Sequence, residues 1–141
     1  VHWNAESMSL RLDHIGYAVE NIERYVQDFL VPLMAPPSIG PIVEDPLQKV
    51  RLAMVTLAGG ARIELIQPLT TDSPVSARLQ THGGGPYHLA YTVSNLEEAM
   101  EAFRTRHCWR VSGPVPAPLF EGRRVAFFYT PQHDLIELVE E

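Results

Sequence analysis

The chain has 141 residues, of which 45% are hydrophobic and 20% charged, and it carries a net charge of -6 at pH 7. That length holds one domain with a real core, and that composition excludes disordered and fibrous classes. The acidic balance, with Arg123 and Arg124 as the one notable basic pair, speaks against a nucleic-acid partner.

Cys108 is the sole cysteine, so an intramolecular disulfide and a cysteine-based zinc cluster are both ruled out, which fits a reducing compartment and a cytoplasmic location. No apolar run approaches the length of a bilayer span, and no membrane partner is expected. The opening VHWNAESMSL shows neither the basic nor the apolar region of a secretory leader; residues 1–11 are expected to form an N-terminal tail.

The first ordered element is a strand. In DHIGYAV, residues His14, Gly16 and Ala18 share one face, while Ile15, Tyr17 and Val19 share the other. Asn21 then stands where a helix cap belongs, ahead of an apolar stripe of Ile22, Tyr25, Val26 and Phe29. A proline-rich loop, LVPLMAPPSIGP, leads to two extended runs, VRLAMVTL and ARIELIQP, joined by a glycine turn that marks a hairpin. DSPVSARLQ reads as a short helix, with Ser73 as cap and Pro74 in its first turn, followed by the linker THGGGP.

The phrase then recurs. An offset of 74, from His14 to His88, aligns HIGYAVENIERYVQDF with HLAYTVSNLEEAMEAF. Such self-similarity marks two copies of one supersecondary unit. His88, Ala90 and Thr92 oppose Leu89, Tyr91 and Val93; Asn95 caps a helix with the stripe Leu96, Ala99, Met100 and Phe103. The loop SGPVPAPLF precedes a second hairpin, RVAFFYT and LIELVE, about the turn PQHD. The sequence thus predicts βαβββ twice, both helices lying on the bulky strand faces: module one over residues 12–70, a linker helix over 71–86 and module two over 87–140, within a single domain 12–140.

The closing strand of each copy holds one carboxylate, Glu64 in RIELI and Glu137 in LIELV. Each lies nearly the same distance from its histidine, 14 to 64 and 88 to 137. Packing alone does not require His and Glu at equivalent positions of both copies. Two imidazoles with two carboxylates form a mixed nitrogen and oxygen set suited to Zn, Co, Ni, Mn or Fe. A metal there would polarise a carbonyl and acidify a neighbouring C–H bond. The small residues Gly16, Ala18 and Ala90 leave room for a cavity beside the histidines. His2, His82, His107 and His133 fall in tail, linker, helix-end and turn positions and read as surface residues. Arg123 and Arg124 are candidates for binding a substrate carboxylate or phosphate, and Glu44 and Glu121 read as solvated loop charges.

On the phrases LDHIGYAV, IELIQPLTTDSPVSARL, GGGPYHLAYTVSNLEEAM and VAFFYTPQHDLIELVE, the sequence resembles the vicinal oxygen chelate superfamily of glyoxalases, bleomycin resistance proteins and dioxygenases, and within it the methylmalonyl-CoA epimerase-like proteins. The resemblance implies an α+β fold, with two βαβββ modules forming a curved mixed sheet around a shared cleft. It implies His14, Glu64, His88 and Glu137 as ligands of a divalent transition metal, and Glu64 or Glu137 as the base. The implied activity is proton transfer, isomerisation or elimination next to the carbonyl or thioester of a small molecule. Alternatives are a non-catalytic small-molecule binding or resistance protein and, with less support, an extradiol-type dioxygenase. A homodimer is expected. Three departures from the epimerase pattern stand out: Tyr87 takes the place of the first of two adjacent histidines, Leu52 falls where some epimerases carry an acidic base, and YTPQHDLIE lacks the lysine of their last turn.

Overall fold

In the computed structural model, which describes residues 8–141, strand β1 (Arg11–Ala18) opens the first half of the chain and β6 (Gly85–Val93) the second. The asparagines that follow them cap helices. Asn21 Oδ1 accepts from the Arg24 N–H at 2.8 Å at the start of α1 (Ile22–Tyr25), and Asn95 Oδ1 accepts from the Glu98 N–H at 2.9 Å at the start of α3 (Leu96–Thr105). Each bond satisfies a donor that a helix start leaves without an internal partner. Ser73 caps α2 (Pro74–His82), with Pro74 in its first turn.

Both helices lie on the bulky strand faces. Ile15, Tyr17 and Val19 of the first copy surround a core of Ile22, Leu30 and Leu65; Tyr91 and Val93 of the second pack with Leu96, Ala99 and Leu138. The hairpins form as the alternation predicts: β4 (Val50–Thr56) pairs antiparallel with β5 (Arg62–Pro68), and β8 (Arg124–Tyr129) with β9 (Leu135–Glu140). Gly59 and Gly60 take φ values of 92° and 97° in the first turn, backbone that side chains with a Cβ adopt at a cost.

The nine strands among the described residues join one mixed sheet of order β2-β4-β5-β1-β6-β9-β8-β7, with β3 also paired to β4. At its centre β1 and β6 run antiparallel, and each pairs parallel with the closing strand of its own half, β1 with β5 and β6 with β9. This central arrangement brings the two repeats together and defines the α+β fold.

Two proline-rich segments differ from the expected loops. The first carries helix onward and then β2 (Ser38–Ile39) and β3 (Val43–Asp45). Both pair with β4, and the Gly40 N–H reaches the Met54 carbonyl at 2.8 Å between them, so they act as one interrupted strand and complete the βαβββ order. The second segment forms most of β7 (Trp109–Pro116), an edge strand whose register shifts twice against β8. Edge position and bulges are where a sheet tolerates proline.

The first helix also departs from its predicted stripe. Beyond Tyr25 it widens into π-type turns over Val26–Met34, with Pro32 inside. The Ala35 N–H bonds the Leu30 carbonyl, five residues back, at 3.0 Å. A wider turn moves the inward position along by one residue. Leu30 is therefore fully buried, whereas Phe29 is 52% exposed. The expected tail lies outside the described residues as far as residue 7, His2 included; Met8 and Leu10 pack on the second core, and β1 takes up Arg11.

Candidate metal centre

The even-numbered residues of β1 and β6 face away from the helices, and the strand register decides what they meet. Glu64 of β5 is level with Gly16 of β1, and Gly16 with His88 of β6. In the matching row, His14 of β1 is level with Ala90 of β6, and Ala90 with Glu137 of β9. Each row reads carboxylate, small residue, histidine. With strands spaced ~4.8 Å apart, carboxylate and imidazole stand two strands apart and meet by leaning over the small residue between them. A Cβ on Gly16 would lie 2.3 Å from His88 Cε1, so only glycine leaves the imidazole its place. Ala18 is fully buried behind Val50, Leu52, Ile66 and Val75, which themselves line the cleft.

The four side chains converge from four strands. His14 Nε2 lies 3.2 Å from Glu137 Oε1 and 3.6 Å from Glu64 Oε1; His88 Nε2 lies 3.0 Å and 3.5 Å from the same two atoms. One donor atom from each residue falls within 4.8 Å of all the others, and all four residues are buried. Asp13 orients His14: its Oδ2 lies 2.7 Å from Nδ1, and its Oδ1 accepts from Arg62 Nη1 at 3.1 Å. Nδ1–H then points at the carboxylate and Nε2 points into the cluster, the arrangement that outer carboxylates impose on metal-binding imidazoles.

His88 has no such support. Its two ring nitrogens are buried and make no hydrogen bond, despite the short approach of Nε2 to Glu137. Buried polar atoms are rarely left without partners, and an orphaned imidazole beside two carboxylates fits a cation-binding role. Charge agrees with this. Burial opposes the imidazolium of His14, but Asp13, Glu137 and Glu64 prevail and push its pKa up to about 11. His88, opposed likewise by burial and favoured by Glu137 and Glu64, rises to about 9. For Glu64 burial works upward, and the two histidines outweigh it, bringing the carboxyl down to about 2. Two imidazolium charges balance two carboxylates, and one divalent cation with two neutral imidazoles gives the same sum. Donor type, convergence and charge all fit a divalent transition metal.

A cleft of about 480 Å³ opens on Glu64, His88 and Glu137, walled by apolar side chains that include Leu52, Ile66, Val75 and Phe127. Phe120 stacks on the His14 ring at 5.5 Å between centroids, and Phe127 meets the His88 ring edge-on at 5.4 Å. Such walls exclude water and strengthen every charge interaction inside. Tyr87, Tyr129, Gln48, Lys49, Asp72 and Ser112 bring polar groups to the lining. The Tyr87 pKa is raised by burial and by Tyr129, with Arg78 opposing.

The two arginines lie apart from this lining. Arg124 shares the helix face of β8 with Ala126 and Phe128, and bonds Glu97 at 2.6 Å and Glu140 at 2.5 Å. Arg123 donates to the Phe120 and Glu140 carbonyls, both at 3.3 Å, and its guanidinium lies 5.5 Å from the Phe120 ring centre. Glu44 stands on β3 opposite Arg51 rather than in a loop, and both it and Glu121 are exposed, as are His82, His107 and His133. The sequence pattern assigned no role to Asp13, Phe120, Phe127 and Tyr129, and marked Tyr87 only as a departure from the epimerase pattern. The repeat held a signal for two of them: Asp13 and Tyr87 precede the paired histidines at the same offset.

Comparison with known proteins agrees with the geometry. Residues 13–127 match the family described as the glyoxalase/bleomycin resistance protein/dioxygenase superfamily. An uncharacterized Bacillus subtilis protein, YqjC, is 34% identical over 92% of this chain and 91% of its own. The mitochondrial methylmalonyl-CoA epimerase of Mus musculus is 32% identical over 64% of this chain, a match spanning 49% of that enzyme. Among solved structures, the hypothetical protein BH1468 of Bacillus halodurans has a TM-score of 0.81 at 29% identity, covering 94% of this chain and 95% of its own. The methylmalonyl-CoA epimerase of Mycobacterium tuberculosis has a TM-score of 0.82 at 26% identity, covering 99% and 93%. With the repeated βαβββ order, the paired His and Glu residues and a family match over most of its length, this chain belongs to the glyoxalase/bleomycin resistance protein/dioxygenase superfamily.

Proposed function

We propose that the protein is a metal-dependent enzyme of the isomerase type that moves a proton next to the carbonyl or thioester of a small molecule. The observation that carries this reading is the convergence of His14, Glu64, His88 and Glu137, all buried and with neither His88 nitrogen in a hydrogen bond, at a largely apolar cleft. Structural likeness to methylmalonyl-CoA epimerases supports the reaction class. The four residues would hold the cation, which supplies Lewis-acid polarisation of a substrate oxygen and so lowers the pKa of the adjacent C–H.

The chain's own groups then handle the proton. Glu64 and Glu137 are carboxylates at the floor of the cleft, and either accepts a proton from substrate carbon while the bonding electrons pass into the substrate carbonyl. Glu64 makes the longer contacts to both histidines, 3.6 Å and 3.5 Å. Return of the proton to the same face of the same carbon regenerates the substrate, delivery to the neighbouring carbon isomerises it, and protonation of the opposite face, which needs a donor on that side, inverts the carbon. Phe120 and Phe127 keep water from the carbanion. In D₂O, metal-loaded protein should wash deuterium into the carbon next to the carbonyl of an acyl thioester or an α-hydroxy or keto acid, read by proton NMR. The Glu64→Gln, Glu137→Gln double variant should not. Equal exchange in both would remove the two glutamates from the mechanism.

Leu52 favours a second reading, a binding protein that holds an apolar ligand without chemistry, because it is apolar at the place on the cleft wall where a base would stand, and the one further carboxylate of the lining, Asp72, is paired with Lys49. Saturable ligand binding by the metal-loaded protein without exchange on any of these acids would select it. A cytoplasmic homodimer belongs to the same proposal. Phe29, Val31, Leu33, Met34, Ile39 and Ile42 are all exposed along one stretch of chain, the kind of surface a second copy covers. Sedimentation velocity showing only monomer at micromolar concentration would refute the dimer. No helix among the described residues is long and apolar enough to cross a membrane.

A further inference from the structure

We infer that Tyr87 is a substrate-binding residue, whose hydroxyl donates a hydrogen bond to a substrate oxygen next to the one held at the metal centre. The inference rests on the proposed metal-dependent reading. Its basis is a pair of bulges. Where β1 and β6 pair, the register slips twice: Leu12 is level with Tyr91 and His14 with Ala90, which leaves Asp13 as the extra residue; Gly16 is level with His88 and Tyr17 with Pro86, which leaves Tyr87. The two extra residues are equivalents in the repeat, each immediately before a cluster histidine.

A bulge re-aims a side chain out of the strand's alternation. Strict alternation would place Tyr87 with Leu89 and Tyr91 on the helix face. Instead it packs with Val50, Leu52 and Val75 on the other side and lines the metal cleft. It also lines a neighbouring groove of about 570 Å³ that shares Pro74, His88, Tyr129 and Leu135 with the cleft. Tyr87 therefore stands where the two spaces meet.

The two bulge residues do different work. Asp13 turns to its own histidine and is consumed by it, at 2.7 Å from Nδ1. Tyr87 leaves His88 Nδ1 without a partner, and its ring meets that imidazole edge-on at 5.8 Å between centroids. Its hydroxyl has no hydrogen-bond partner among the described residues and is not fully buried, on a side chain that lines both the cleft and the groove. Of the neutral donors that line the cleft, those of Gln48, Tyr87, Ser112 and Tyr129, the Tyr87 phenol is the one carried by the residue next to a cluster histidine. The ligand class this selects has two neighbouring oxygens for the centre and a further acceptor beside them, as in a dicarboxylate or an acyl compound with an α-carboxylate.

The test compares parent and Tyr87→Phe, a change that keeps the ring and its packing. Both are loaded with Co²⁺, assayed for cobalt content and melting temperature, and titrated calorimetrically with oxalate. The expected result is equal cobalt and melting temperature, with oxalate bound roughly three- to tenfold more weakly by the variant, the loss of one net hydrogen bond. Equal oxalate affinity in two fully loaded proteins overturns the role of Tyr87 and leaves the metal reading intact. Failure of the parent to take up cobalt overturns the metal reading, and this assignment with it.

Discussion

At the scale of single residues, the site depends on atoms too small to notice. Gly16 is the clearest case, because a methyl group there would lie 2.3 Å from the His88 ring. Gly16→Ala should therefore expel the imidazole and bring metal content well below stoichiometric, whereas Ala90→Gly, at the equivalent place, should retain it; elemental analysis of the two variants distinguishes them. Asp13 acts at one remove, by holding His14 Nδ1 with Arg62 behind it. Asp13→Asn should keep the fold and weaken metal binding about 10- to 100-fold in a competition titration; an affinity within twofold of the parent would deny it that role. The four central residues were legible in the sequence because the repeat printed each type twice in the same frame. The inward turn of Asp13 and Tyr87 was not, because alternation assigns a residue next to an inward histidine to the far face, and their shared offset in the repeat does not by itself reveal a bulge.

Elements were legible where local chemistry and burial agree. Asn21, Asn95, Ser73 and the glycine turn each announce a boundary by a bond the backbone needs, and each is found making it. The first helix misled because a 3.6-residue stripe assumes an α-helix throughout, whereas π-type turns and Pro32 shift the inward face from Phe29 to Leu30. This shift has a thermodynamic signature. Leu30→Ala should lower unfolding free energy by about 2–5 kcal/mol. Phe29→Ala, on a half-exposed side chain, should cost about 1 kcal/mol or less. Denaturant melts with the order reversed would restore the α-helical register. The proline-rich segments misled for the opposite reason: proline is disfavoured in a ladder in general, yet an edge strand with bulges admits it.

For the whole molecule, the two halves share one site, so under the proposed reading metal binding, protonation and fold stability should be linked. Without metal, His14 and His88 gain their carboxylate partners on folding, and their pKa values rise from 6.5 to about 11 and about 9. That stabilisation is fully present below pH 6.5 and is lost as pH rises through about 9 and then about 11. Glu64, lowered from 4.5 to about 2, contributes stability above pH 4.5 that is lost as pH falls through about 2. Metal-stripped protein should therefore unfold at lower urea at pH 9.5 than at pH 6. With saturating metal the imidazoles are neutral in the folded state and protonate only on unfolding, so below pH 6.5 stability should rise with pH, the opposite slope. The arrangement that couples these effects, β1 against β6 with both closing strands alongside, follows from the repeat. The side of the cleft on which Arg124 falls follows only from the exact strand parity, which sets it with Ala126 and Phe128 against α3.

The most direct measurement is elemental analysis of protein purified without chelator, beside a His14→Ala, His88→Ala double variant shown by circular dichroism to be folded. Near-stoichiometric transition metal in the parent and none in the variant is the predicted result. A parent that carries no transition metal and takes up none on titration with Zn²⁺, Co²⁺, Ni²⁺, Mn²⁺ or Fe²⁺ would contradict the account.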